Sequence, residues 1–356
     1  MTDSSLYQPL DTTRDEFRLL RIEPSHDFDN IISCQLFTVS RADKPSYCTL
    51  SYEWGDKTVT KPMLANGIIV QVTRNLEAAL RRIRQSNPKV VIWVDAVCIN
   101  QHDIVERNSQ VAMMGKLYSE TTLTYAWLGE DNDGSAQNAF QFIRSYFGHF
   151  SKRVEDIDNF ILKMTKNIYD DAYFEARDQV MDNLQNGKLA LDMFKFHDIS
   201  KVSLRTYWFR TWVQQELILS PRVVLISGPA AISFNLMVVF SLLIFVVRSH
   251  VMQRTEPAYE TISNMLPSHF AGILQLAMVD VTSFVSVLSS LQKCVATNPR
   301  DHVYGILGIY EGAMTVAIDY DKPVAQVFVD LVHSLAEESG QLILRQFPGV
   351  LIVSRL

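Results

Sequence analysis

The sequence predicts an α/β fold: an open, mainly parallel sheet flanked by helices, with a hairpin insertion and a mainly helical C-terminal part. Three observations carry the prediction. Between Tyr47 and Leu128, short apolar runs alternate with segments of helical periodicity, in the order strand, helix, strand, helix, strand. The run Val90-Val91-Ile92-Trp93-Val94 contains no polar residue, which suits a strand covered on both faces. An Asn66-Gly67 pair sits between the runs Val59 to Leu64 and Ile68 to Val72 and marks a hairpin, since both residue types accept the positive φ of its turn.

Taken in order, residues 1–30 are polar, carry Pro9 and Pro24, and read as an N-terminal extension. Residues 31–230 form the α/β domain. Its first strand with a clear end is Tyr47 to Tyr52, which Gly55 follows; Val59 to Leu64 and Ile68 to Val72 make the hairpin. Leu76, Ala79, Leu80 and Ile83 repeat at helical spacing after an Asn75 cap, and Pro88 stops them. A second helix runs from about Ile104 to Glu120, with Gln110, Met113, Met114 and Leu117 inward, and leads to the strand Leu123 to Leu128. About 75 mostly helical, charged residues follow. A helix over Trp208 to Glu216 is stopped by Ser220-Pro221, and the strand Arg222 to Ser227 ends at Gly228. Residues 231–356 read as mainly helical: Pro299 opens one helix that Gly308 closes, and Val324, Val327, Phe328 and Leu331 mark another.

A chain of 356 residues, 47% of them hydrophobic, can bury a large core. Its net charge of −6 and lack of a Lys/Arg run argue against a nucleic-acid surface. The four cysteines are scattered without paired spacing and read as reduced thiols, and no signal peptide is visible, so a cytoplasmic protein is expected. From Ala230 to Val247 the chain is apolar except for Ser233, Asn235 and Ser241, close to a bilayer-spanning length. Its flanking charges, Arg222 and Arg248, lack orienting asymmetry, so a buried helix is expected rather than a membrane span. No Gly-x-Gly-x-x-Gly, Walker-type loop or metal-spaced His/Cys set occurs, which leaves no basis for a Rossmann dehydrogenase, a P-loop NTPase or a metal site.

In an open parallel sheet, ligands lie beyond the carboxyl ends of the strands, here the loops Ser51 to Asp56, Asp95 to Gln101 and Gly129 to Asp133. Trp208, Trp212 and Glu216 share one helical stripe, and the neighbouring Phe209, Val213 and Leu217 are apolar, so Glu216 falls at the seam of a buried face. A carboxyl there is partly desolvated and tuned toward neutral pH. Each candidate also has a plainer reading. Aromatic residues at helical spacing commonly build core; Asp95 and Asn100 suit the capping of a strand-to-helix loop; Trp54 and Trp127 suit lids over the sheet edge; and Asp301, in Arg300-Asp301-His302, suits the dipole of a helix's first turn.

Leu50-Ser51-Tyr52-Glu53-Trp54-Gly55, Trp93 to Gln101, Trp127-Leu128-Gly129 and Phe209 to Glu216 together resemble the fungal heterokaryon-incompatibility (HET) domain, whose blocks run in this order. The likeness spans residue 47 to about 228, and Pro299 to Gly308 is similar to a segment that commonly follows. HET domains are in turn similar to TIR domains, some of which cleave NAD. Ser51-Tyr52 and Asp95 resemble the ends of the first two TIR strands, and Trp212 to Glu216 the spacing of the catalytic TIR helix.

The resemblance implies a regulator of non-self recognition and cell death that self-associates, with an incompatibility or sensor protein as partner. It also implies a TIR-like sheet and NAD as a substrate rather than a cofactor. Cleavage of the nicotinamide–ribose bond passes through an oxocarbenium-like state that a carboxylate stabilises, here Glu216; the nicotinamide leaves as a neutral molecule, so no general acid is required. Ser51, Tyr52 and Asp95 would position ribose or phosphates, with Trp54, Asn100 and Trp212 shaping the pocket. The rival expectation is a non-enzymatic module whose same edge mediates homotypic assembly and recruits partners.

Overall fold

A computed structural model describes residues 6–86, 90–150, 193–238, 240–241 and 279–339. It is α/β, and the chain divides into two compact units. Met1–Thr124, Phe209–Pro221 and Asp280–Leu356 make the first; Tyr125–Trp208 and Arg222–Val279 make the second. The chain thus leaves the first unit and re-enters it twice, whereas the sequence alone suggests contiguous divisions at residues 30 and 230.

In the first unit the strands are β1 (Glu16–Ile22), β2 (Ser33–Ser40), β3 (Cys48–Tyr52), β4 (Thr60–Ala65), β5 (Ile68–Thr73) and β6 (Val91–Trp93), in the spatial order β5-β4-β2-β1-β6-β3. Pairing is mixed: β3–β6 and β2–β4 run parallel, and β1 lies antiparallel to both β2 and β6. β1 corrects the reading of residues 1–30 as an extension, because Glu16–Ile22 is an interior strand with Phe17, Leu19 and Leu20 buried. Its charged residues conceal it. Arg18 is 2% exposed and forms a two-pronged ion pair with Glu106, at 2.6 and 3.0 Å, while also donating to the carbonyl of Cys98. The hairpin β4–β5 forms as expected, with φ of 52° at Asn66 and 79° at Gly67.

Helix α1 (Arg74–Ser86) buries Leu76, Ala79, Leu80 and Ile83, the face its periodicity predicts. Its entry differs in detail: Thr73 accepts from the Leu76 N–H, while Asn75 turns its amide to the carbonyl of Glu53. Pro88 lies outside the described residues. A single turn α2 (Asp95–Cys98) follows β6, and α3 (Ile104–Ser119) begins at Asp103, whose carboxylate accepts from the Glu106 N–H at 3.0 Å.

In the second unit, most of β7 (Leu123–Trp127) joins β8 (Val223–Ser227) and β9 (Ala230–Ser233), with α4 (Ser135–Phe150) and α5 (Met193–Ser203). β8 and β9 are antiparallel, so the apolar run that begins at Ala230 opens as a strand, with a helix starting only at Phe234. The expectation of one continuous helix is corrected there, and residues 242–247 lie outside the described part. Among the described residues no helix is long and apolar enough to cross a membrane. Trp127 is core at 1% exposure, and Trp208 is buried, its indole donating to the Val202 carbonyl and its ring stacked on Phe234.

The remaining helices return to the first unit: α6 (Thr211–Leu219), α7 (Phe284–Ser290), α8 (Asp301–Leu307) and α9 (Val324–Ser339). The expected helix from Trp208 to Glu216 is broken. Thr206–Phe209 is a 3-10 turn, Arg210 is extended, and α6 begins at Thr211. The cause is backbone pairing. The Val295 N–H donates to the Phe209 carbonyl at 2.5 Å and the Thr211 N–H donates to the Val295 carbonyl at 3.3 Å, which pulls Arg210 straight. The stripe Trp208–Trp212–Glu216 therefore does not exist; Trp208 is core of the second unit, and Trp212 and Glu216 belong to the first.

Candidate active site

Parallel pairing of β3 with β6 aligns Cys48 with Ile92 and Thr49 with Trp93, so Ser51 comes level with Asp95 at the carboxyl ends of both strands. Helix α6 packs on β3, α3 and α8 and brings Glu216 to this edge. Small residues permit the close approach. A Cβ at Gly305 would lie 2.8 Å from Cγ2 of Thr211, and one at Gly308 would collide with the side-chain amide of Gln215. The far end of α6 is tied down as well: the Ser220 hydroxyl bonds the Glu216 carbonyl and Thr124, and Thr124 bonds Thr49 on β3.

Glu216 is 4% exposed. Burial pushes its carboxyl up to about 7, opposed by the Arg210 charge and a hydrogen bond with Ser51, and reinforced by Asp95; Tyr118, whose hydroxyl is 3.1 Å from the Leu50 carbonyl, borders the same carboxyl. Oε2 of Glu216 is buried without a hydrogen-bond partner, and so is the hydroxyl of Tyr52. Buried polar atoms are costly to leave unsatisfied, and these two keep hydrogen-bonding capacity at this edge.

Asp95 heads α2. Its Oδ1 accepts from the Ala96 N–H at 2.7 Å and its Oδ2 from the Trp54 indole at 2.8 Å. Part of the residue's surface stays open, but its carboxyl is densely enclosed, and that enclosure raises its pKa against the lowering effect of Trp54 and Arg210. The Tyr52 hydroxyl lies near this carboxyl without a hydrogen bond of normal geometry, and burial raises the phenol well above its usual value. Trp54 is only half-buried, with Lys57 over its ring at 4.7 Å, so it is not the core lid that Trp127 is.

The structure thus brings together Ser51, Tyr52, Trp54, Asp95 and Glu216. Trp212 is half-buried on α6, one turn before Glu216, and its indole N–H is directed to the Asp301 carboxyl. Asn100 is engaged within its own loop: its side-chain oxygen accepts from the His102 N–H at 3.3 Å and its own N–H bonds Glu106 at 2.7 Å, which is the loop-capping role. Arg210 is the residue that sequence reasoning misses. It donates to the Tyr52 carbonyl and its charge acts on Glu216, Asp95 and Tyr52. Its signal is a cation beside a Trp-rich block, but its place at a break between two helix types is not visible in periodicity.

A carboxyl balanced near neutrality, a second enclosed carboxyl, a guanidinium and unpaired hydroxyl and carboxyl oxygens can stabilise a developing cation and bind hydroxyl groups. Thiol chemistry finds no support: burial pushes Cys34 and Cys98 up to about 12. Among the described residues no group of three or more His, Cys, Asp or Glu is arranged to hold a metal ion.

Comparison with known proteins gives a consistent picture. Residues 47–216 match the family model described as heterokaryon incompatibility protein (HET). The chain is 26% identical, over 91% of its own length and 52% of the relative's, to heterokaryon incompatibility protein 6, OR allele, of Neurospora crassa. It thus spans about half the length of that relative. No solved structure matches it.

Proposed function

We propose that this chain, which carries a HET domain over residues 47–216, is an effector of non-self recognition and programmed cell death that hydrolyses the nicotinamide–ribose bond of NAD. The relative's name supplies the biological setting, and the TIR-like chemistry is our extension of it. The observation that carries the chemistry is the enclosed Glu216 carboxyl, with its Oε2 unpaired, at one strand edge with Ser51, Tyr52 and Asp95.

In the proposed reaction the deprotonated Glu216 faces the ribose as positive charge builds on its anomeric carbon. The carbon–nitrogen bond breaks, its electron pair leaves with neutral nicotinamide, and a water oxygen bonds the anomeric carbon and releases its proton to solvent. Asp95 and Tyr52 bind ribose hydroxyls, Arg210 balances the two carboxyls, and Trp54 and Trp212 wall the site. Asn100 keeps only its loop-capping role. The reading includes a cytoplasmic protein that self-associates and takes its signal from an incompatibility or sensor partner.

The rival, assembly without catalysis, draws support from the family setting alone. Expression of Glu216→Gln in a host that the unaltered chain kills separates the two. Survival with undiminished protein level and self-association supports catalysis; undiminished killing contradicts it.

A further inference from the structure

The segment after the family match contributes to the same edge of the first unit. Asp301 is the opening residue of α8, and its Oδ1 accepts from the Tyr320 hydroxyl at 2.8 Å. The Trp212 indole N–H is directed at the same carboxyl, and the Arg210 charge acts on it. Tyr320 is itself anchored: its N–H donates to Oδ1 of Asn108 at 3.2 Å, its ring lies 4.4 Å under the Arg107 guanidinium, and Tyr304 meets it edge-on. Arg300, beside Asp301, turns away and donates to the Lys322 carbonyl at 2.7 Å. Asp301 reaches α6 through Trp212.

Trp212 and Glu216 are one helical turn apart on the same face of α6. The anchored pair Asp301–Tyr320 holds the Trp212 indole at that position. We infer that the indole so held keeps water from the buried Glu216 carboxyl, and that Asp301 is a positioning residue of the Glu216 site, acting through Trp212, so that the site is completed by a segment that lies outside residues 47–216. This rests on Glu216 being the centre of the site, but not on the reaction assigned to it.

The test follows the ionisation of Glu216 in the full chain by carbon-13 NMR of labelled glutamate, with Glu216→Gln identifying the signal. Among the described residues the charged and titratable groups that act on it include Arg210, Asp95, Tyr52 and Tyr118, none of which the variants alter; Asp301→Asn also removes a charge that acts on Arg210, which Trp212→Phe leaves in place. With the indole fixed, the midpoint lies near 7. In Asp301→Asn and in Trp212→Phe the carboxyl gains water, and the midpoint falls by about one pH unit or more toward the usual carboxylate range. Asp301→Glu, which keeps the acceptor, shows a smaller fall than Asp301→Asn.

A midpoint unchanged in a folded Asp301→Asn or Trp212→Phe protein overturns the inference, because a helix-stabilising Asp301 would change the melting temperature alone. If Asp301→Asn does not fold, Trp212→Phe decides the matter. A lowered midpoint in a protein that never releases nicotinamide upholds the positioning role and removes the proposed reaction.

Discussion

The proposed reaction rests on one side chain, Glu216, and the burial of that residue has two measurable consequences. The proposed reaction uses the carboxylate, so kcat/KM for NAD should rise with pH along a limb centred near 7, the value to which burial lifts this group. The positively charged nicotinamide ring favours the ionised form, so the limb in kcat should sit lower than that in kcat/KM. A limb near 4.5, or none, would contradict the assignment. Stability should move the opposite way. Between the unfolded and folded pKa values the folded chain holds a proton that the unfolded chain releases, so stability falls as pH rises through this window and levels off above 7. Glu216→Gln escapes that loss. Its stability relative to the unaltered chain should grow from near zero at about pH 4 to roughly 3 kcal/mol at about pH 8, because each tenfold change in proton affinity between the folded and unfolded chain is worth about 1.4 kcal/mol. Chemical denaturation at several pH values measures it, and a constant gap would be the contrary result.

At the scale of elements, α6 is held by β3, α3 and α8, all distant from it in sequence. Gly305 and Gly308 are legible as part of a helix and its end, but not as the floor on which Thr211 and Gln215 sit. Gly308→Ala puts a methyl where Gln215 lies and should destabilise the chain by about 1–3 kcal/mol. It should also lower nicotinamide release more than it lowers the fraction folded, because the displaced helix carries Glu216. A melting curve and an activity assay on the same sample compare the two.

The hairpin β4–β5 is legible because Asn66-Gly67 states its own backbone requirement. The break at Arg210 is not, because it depends on Val295, a partner far along the chain and exposed in its own right. Asp301 looks like a helix-dipole residue for the same reason: its partners Tyr320 and Trp212 are distant in sequence, and local rules see only the helix start. Ser51, Tyr52 and Asp95 stand out in the sequence because a strand's carboxyl end is a local feature that parallel pairing repeats at one edge.

For the whole molecule, the first unit draws on three separated stretches of chain, and the family match covers only part of it. Residues 47–216 alone would lack β1 and β2, interior or adjoining strands of the sheet, and would lose α8 from beneath α6. That fragment should show no cooperative thermal transition by circular dichroism, whereas the full chain should show one; a cooperative transition in the fragment would refute this account of the unit. β1 escapes a reading of the sequence because Arg18 looks like a surface residue until Glu106 closes on it, and the pairing of buried charges is written nowhere in local pattern.

The most direct test of the central claim is nicotinamide release from NAD by the purified, self-associated chain, with Glu216→Gln run at the same concentration. The account predicts release that falls at least about a hundredfold in the variant, the scale expected when electrostatic stabilisation of a transition state is removed. Equal release from the two proteins, or none from folded and assembled unaltered chain, would contradict it.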